Sequence, residues 1–190
     1  MTKSIFFKNV LPYIIWYSLL FVSTLLFDYI LHKLQLVFLG LYFGVTGTLL
    51  ILISFIYSLQ KRKMINLGSP KLLLQTHEVL AWIGALMVMV HAGIHFHALL
   101  PWLAIFLLII AVASGFIGKF ILAVAKSALD EKKKELFNKG FSENEVEDKL
   151  HMDSITVDLM KEWRSVHIPI TLLLGVLALL HVLSIILFSK

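Results

Sequence analysis

The chain has 190 residues, of which 59% are hydrophobic and only 15% charged, whereas a soluble domain carries roughly 25% charge. With a mean hydropathy of +0.89, it is neither a soluble globular domain nor a disordered chain, which leaves a polytopic membrane protein. The absence of cysteine excludes disulfides, iron–sulfur clusters, thiolate metal sites and covalent attachment of a haem through C-x-x-C-H. The pI of 9.4 does not point to nucleic acid, because the basic residues flank apolar runs, where membrane topology accounts for them.

A membrane span needs roughly 20 mostly apolar residues. The chain offers five such runs in order: Val10 to Leu31, Leu36 to Leu59, Leu72 to Phe96, Leu100 to Ala125, and Val166 to Phe188. The first is too long for a signal peptide and no small-residue cleavage site follows it. No internal repeat and no Gly/Ser linker interrupts the order. The expected fold is an all-α polytopic membrane bundle of five transmembrane helices, one domain over residues 1–190. If the N-terminus lies inside, fifteen of the seventeen Lys and Arg residues also fall inside, and only Lys33 and Lys190 outside. This bias predicts an N-terminus in the cytoplasm and a C-terminus outside, as in a prokaryotic inner membrane protein.

Between the fourth and fifth runs, residues 126–164 hold most of the acidic residues and many lysines. The stretch reads as short amphipathic helices on the cytoplasmic side. Lys139-Gly140 fits a helix end, and Ser142 with Glu145 has the spacing of a capping box. It is either a solvated loop or a docking surface for a redox protein or a neighbouring complex subunit.

The chain carries eight histidines, and ionisable side chains inside spans are functional candidates by default. The third span contains HEVLAWIGALMVMVH, with His77 and His91 fourteen residues apart; the fifth contains HIPITLLLGVLALLH, with His167 and His181 at the same separation. Fourteen helical residues return to within about 40° of one face and rise about 21 Å. The two spans run in one direction. His77 and His167 therefore share a depth near the cytoplasmic surface, and His91 and His181 share one nearer the outside. Two opposed imidazoles are the ligand set of a low-spin b-type haem. Two opposed pairs would hold two stacked, noncovalent haem b groups, with the four histidines as axial ligands.

Gly84 lies midway between His77 and His91, where the spacing predicts room for the macrocycles. Gly175 sits near the middle of the fifth span. Gly40, Gly44 and Gly47 in the second span, and Gly115 and Gly118 in the fourth, fit either haem clearance or small-residue helix packing. Arg164, one turn before His167, is placed to pair with haem propionates. Lys119 fits propionate pairing or snorkelling. His95 and His97 follow at the outer end of the third span, and His95 is a second candidate for contact with a propionate or an external acceptor. Asp28 and His32, four apart, can meet on one helix face; a quinol site would use such a pair. Glu78 is a candidate for a cytoplasmic proton path. Trp102 and Trp163 read as interfacial belt residues, and His151 as solvated.

With these two H-x13-H pairs the sequence resembles dihaem membrane cytochromes b. The pattern occurs in the cytochrome b of respiratory bc complexes and in the ferric reductase and NADPH oxidase transmembrane domain. The second is closer in layout, with a cytoplasmic N-terminus and ligands from the third and fifth helices. The resemblance implies that His77, His91, His167 and His181 are axial haem ligands. It departs in two respects: that family usually has a sixth span, and it has a flavin–NAD(P)H reductase, whereas no G-x-G-x-x-G is present here. The expected function is a dihaem b-type electron-transfer subunit of an oxidoreductase. It would carry electrons between a cytoplasmic partner or quinone and an outer-face partner or acceptor. Alternatives are a quinone oxidoreductase subunit with its own quinone pocket, a metal-ion permease using membrane histidines, and an assembly subunit without cofactor. A permease would want mid-membrane carboxylates, and the mid-spans hold almost none.

Overall fold

The computed structural model describes residues 10–94, 99–143, 145–146 and 155–188, with side chains of 155–158 excepted. The described residues are helical, without strands. We label the helices α1 (Leu11–Lys33), α2 (Leu39–Ser54), α3 (Ile56–Lys61), α4 (Pro70–Ile94), α5 (Leu99–Asn138) and α6 (Ile155–Phe188). Five helical stretches are long and apolar enough to cross a membrane, with α2 and α3 forming one of them. Large apolar side chains such as Leu25, Phe106, Leu172 and Ile186 are exposed on their outer faces, as a lipid-facing surface requires.

Contacts between helices fix their relative directions. Gly40 meets Ile94 and Gly47 meets Gly84 and Met87, so α2 and α4 are antiparallel. Trp16 stacks edge-on against Trp82 and Asp28 lies beside Gly93, so α1 and α4 are parallel. Ser114 meets both Trp163 and His167, while Gly118 meets Trp163, so α5 and α6 are antiparallel. Tyr17 donates to Ile109 and Tyr13 meets Phe116, so α1 and α5 are antiparallel; successive spans thus alternate, and α4 and α6 run the same way.

The closest packing joins α2 to α4 and α5 to α6; α1 lies mainly against α4. By contrast α4 and α6, the two histidine-bearing helices, are not among the closely packed pairs. The small buried centre around Leu20, Ala85, Met89 and Leu108 ties α1, α4 and α5 together. None of the most apolar window of α6 is buried. The bundle is therefore two tight helix pairs with a wider separation between α4 and α6.

Glycines explain the α2–α4 pair. A Cβ at Gly84 would lie 2.8 Å from the Gly47 carbonyl oxygen and 2.7 Å from Ile51 Cγ1, and one at Gly47 would lie 2.8 Å from the Gly84 oxygen. Only residues without side chains allow the backbones to approach that closely. In the structure Gly84 lies at this helix contact, facing Gly47 and Ile51. At Gly175, in contrast, a Cβ would meet nothing within 4 Å.

The segment between the fourth and fifth spans also differs from expectation. Residues 126–138 are not a separate short helix but the continuation of α5, which runs unbroken for 40 residues. No Gly or Pro occurs between Ala125 and Gly140, so nothing stops the helix at the edge of its apolar stretch. It ends at the expected place. Gly140 takes φ +84°, and the N–H groups of Gly140 and Phe141 bond back to Phe137 and Leu136, the Schellman arrangement. The spacing of Ser142 and Glu145 gives the carboxylate half of a capping box: Glu145 accepts from both the backbone N–H and the hydroxyl of Ser142, at 2.9 and 2.8 Å. On the other side α6 begins at Ile155, well before its apolar stretch. At the entry to α4, Ser69 caps the helix by accepting from Leu72 N–H at 3.3 Å, and Pro70 stands at the first helical position, where its missing N–H is not needed.

Candidate functional site

His77 and His91 both reach from α4 to the backbone of α2. His91 Nδ1 lies 2.8 Å from the Gly40 carbonyl oxygen. Its ring rests on Gly44, where a Cβ would come within 2.7 Å of the ring carbon. His77 Nδ1 lies 3.0 Å from the Ser54 carbonyl oxygen. That carbonyl is available because the helix breaks at Phe55. Ser58 N–H, its regular partner four residues on, bonds instead to Phe55 at 2.8 Å. The Tyr57 ring then lies 5.7 Å from the His77 ring.

A carbonyl oxygen can only accept. In both residues Nδ1 must therefore carry the proton, and in the neutral ring Nε2 carries the lone pair. Histidines that ligate metals are commonly held this way, by a backbone carbonyl on the other nitrogen.

His167 is held from α5. Its Nδ1 lies 3.1 Å from Ser114 Oγ, and a Cβ at Gly115 would stand 4.0 Å from its Cε1. Trp163, one turn earlier on α6, stacks on the imidazole at 4.8 Å with the planes 21° apart. The Trp163 indole N–H donates to the Ser114 carbonyl at 2.8 Å, and its ring lies where a Gly118 side chain would have to be. Trp163 is thus part of the His167 setting, which corrects its reading as a belt residue.

The outer pair comes together between α4 and α6: the His91 and His181 ring centres are 6.5 Å apart, with planes inclined at 55°. His77 and His167 stand fourteen residues before them on the same two helices. All four rings are half-buried. His91 and His181 face each other closely enough that they could hold one group between them. The donor set and the anchored Nδ1 atoms of His77, His91 and His167 fit a bis-histidine haem, with Leu174 of α6 packed against the buried centre between the two levels. Among the described residues no three His, Asp or Glu side chains converge on one point; the convergence here is in pairs.

The remaining candidates fall as follows. Arg164 is half-buried one turn before His167 and its Nε donates to its own helix at Met160, 3.0 Å away; its terminal amino groups are not used by that bond. Lys119 pairs with Glu78 at 2.5 Å across α4 and α5, so each has a protein partner beside the inner pair. Asp28 and His32 meet as expected, with His32 Nδ1 at 2.9 Å from the Asp28 carbonyl and 3.5 Å from its carboxylate. His95, His97 and His151 lie outside the described residues. Sequence reasoning missed Ser114 and the Ser54 and Gly40 carbonyls that hold the histidine rings. The available signal was the Trp163/His167 spacing of four, together with Ser114, Gly115 and Gly118 on one short stretch of α5.

Comparison of the chain with protein-family models, with curated proteins and with solved structures gives no match.

Proposed function

We propose that the chain is a dihaem b-type cytochrome subunit that carries electrons across a membrane. The inner centre would be held by His77 and His167 and the outer by His91 and His181. The observation that carries this reading is the facing of His91 and His181 at 6.5 Å from two helices that are not closely packed on each other. A polar ring pair inside a span needs a reason to be there, and a shared metal supplies one.

Bound haem supplies a one-electron iron couple at each level, with the potential set by ligand, burial and hydrogen bonding. The chain's own part is to hold four imidazoles at matched depth, three of them with an anchored Nδ1. Backbone carbonyls of α2 do this for the α4 ligands, and Ser114 and Trp163 for His167. Lipid and the apolar helices exclude water around the rings. Arg164, at the inner level, is available to an anionic propionate.

The bias of Lys and Arg supports placing the N-terminus and the segment 126–164 at the cytoplasmic face of a prokaryotic inner membrane. That segment carries mixed Lys and Glu/Asp side chains on helical extensions of α5 and α6. It is the proposed docking surface for an electron-exchanging protein or a neighbouring subunit, through a salt-sensitive contact. The deciding experiment is purification in mild detergent, followed by a reduced-minus-oxidised spectrum and a haem assay. The expected result is b-type bands and two haems per chain. A colourless, folded preparation from haem-replete cells refutes the reading.

A further inference from the structure

Three of the four paired histidines have a visible Nδ1 anchor, and the three anchors are not chemically alike. Those of His77 and His91 are backbone carbonyls, which accept and cannot donate. That of His167 is the Ser114 hydroxyl, which can do either. Elsewhere in this bundle hydroxyls turn back on their own helix: Thr24, Thr46 and Thr48 donate to the carbonyl four residues earlier at 2.7–2.8 Å. Ser114 instead turns its oxygen to the neighbouring helix. It is 8% exposed, so water does not compete for it.

Ser114 also acts through its backbone. Its carbonyl holds the Trp163 indole at 2.8 Å, and that indole lies flat on His167. Gly118 gives the indole its place. One residue of α5 therefore restrains His167 twice, by a hydrogen bond to Nδ1 and by fixing the aromatic plane beside the ring.

We propose, resting on the dihaem reading, that Ser114 is the positioning residue of the inner centre. It accepts from His167 Nδ1–H, directs Nε2 to the iron, and sets how strongly His167 donates to it. A hydrogen bond from Nδ1–H pushes electron density onto Nε2 and favours the oxidised iron. Removing the acceptor weakens that donation and favours the reduced iron. The potential of the inner centre then rises while that of the outer centre stays in place.

The test uses the full chain with its haem in detergent: wild type, Ser114→Ala and Ser114→Thr. His77→Ala identifies which redox wave and which low-spin electron paramagnetic resonance signal belong to the inner centre. Loss of a partner on the far side of a metal-bound histidine typically costs about 10–100-fold in metal affinity or activity; if the oxidised iron loses about tenfold more than the reduced, the one-electron equilibrium moves by about 59 mV. Ser114→Ala is expected to keep both haems, raise the inner potential by about that amount, and alter the inner resonance signal, which reports ligand-ring orientation. Ser114→Thr restores the hydroxyl and is expected to restore both properties. An unchanged inner potential and signal in Ser114→Ala, with two haems bound, overturns the proposal and leaves the dihaem reading standing. If Ser114→Ala fails to assemble, Ser114→Thr decides: wild-type properties support the assignment and a displaced inner potential overturns it. A wild-type preparation without haem removes the dihaem reading and this proposal with it.

Discussion

Replacing Gly84 by Ala separates two uses of one glycine. An added Cβ would stand 2.8 Å from the Gly47 oxygen, whereas ordinary contact begins at 3.4 Å. The obstacle is backbone, so α2 and α4 must part by about 0.6 Å at that point. Gly84 lies midway between His77 and His91, and the parting is passed to both anchors. Bonds of 3.0 and 2.8 Å would move toward or beyond the usual limit of about 3.2 Å. Overpacking costs about 1–3 kcal/mol and each of the two weakened hydrogen bonds about 1 kcal/mol, giving about 3–5 kcal/mol in all. Gly175→Ala is the control: its Cβ meets nothing within 4 Å, and helix propensity gives up to about 1 kcal/mol of stabilisation. The assay is unfolding of cofactor-free protein in detergent, followed by far-ultraviolet circular dichroism. Gly84→Ala should unfold markedly earlier than wild type and Gly175→Ala no earlier. If cofactor-free Gly84→Ala matched wild type in stability and was deficient only in haem uptake, the glycine would be there for the macrocycle and the packing argument would fail.

Each ligand pair should control one haem. His77→Ala or His167→Ala removes the inner centre and His91→Ala or His181→Ala the outer one, so haem per chain falls from two toward one. Loss of a haem in His95→Ala but not in His91→Ala would reassign the outer pair. The Glu78–Lys119 pair is 30% and 47% exposed, which limits its worth to at most about 1 kcal/mol. A double-mutant cycle with Glu78→Gln and Lys119→Met should give a coupling in that range, and several kcal/mol would mean a far less screened site. Replacing residues 139–154 by a short flexible linker should leave both haems bound and slow electron exchange with a cytoplasmic-side partner. Exchange at the wild-type rate would move the docking surface away from this segment.

Much of the bundle is readable from the chain because it depends on local rules. Span positions follow from apolar length, and the end of α5 from Gly140. The Ser142–Glu145 cap follows from spacing, and the depth matching of the histidines from two equal separations on helices of one direction. The parts not readable depend on what a neighbouring helix offers. Gly84 shares its helix face with His77 and His91, and from that the sequence suggests a shared purpose. The histidine side chains leave that face and swing away to carbonyls at two distant points of α2, while the glycine between them marks the line of closest backbone approach. The same angle on a helix wheel thus serves two ends. The Glu78–Lys119 pair requires the stagger of α4 against α5, which no periodicity encodes. Trp163 looks interfacial by depth, and only the groove at Ser114 and Gly118 shows that it turns inward. The run from Lys126 to Asn138 was readable and misread: charge marks it as outside the lipid, but charge does not end a helix.

The kinds of anchor divide the site into a robust half and a vulnerable half. Backbone carbonyls cannot be removed by changing a side chain, so the hold on His77 and His91 survives most substitutions in α2. It yields only to changes that move the backbone, such as those at Gly44, Gly47 or Gly84, or that alter the helix break at Phe55. The hold on His167 rests on a single hydroxyl and one indole, and so on Ser114, Gly118 and Trp163 individually. α6 itself packs closely only on α5, with Leu174 against the buried centre and His181 against His91. On the proposed dihaem reading, the α4 rings, already fixed in tautomer by α2, would be the ones prepared to accept a metal first. His167, held by Ser114 of α5, and His181 would complete the sites second, and the distance between α4 and α6 would be the dimension that adjusts.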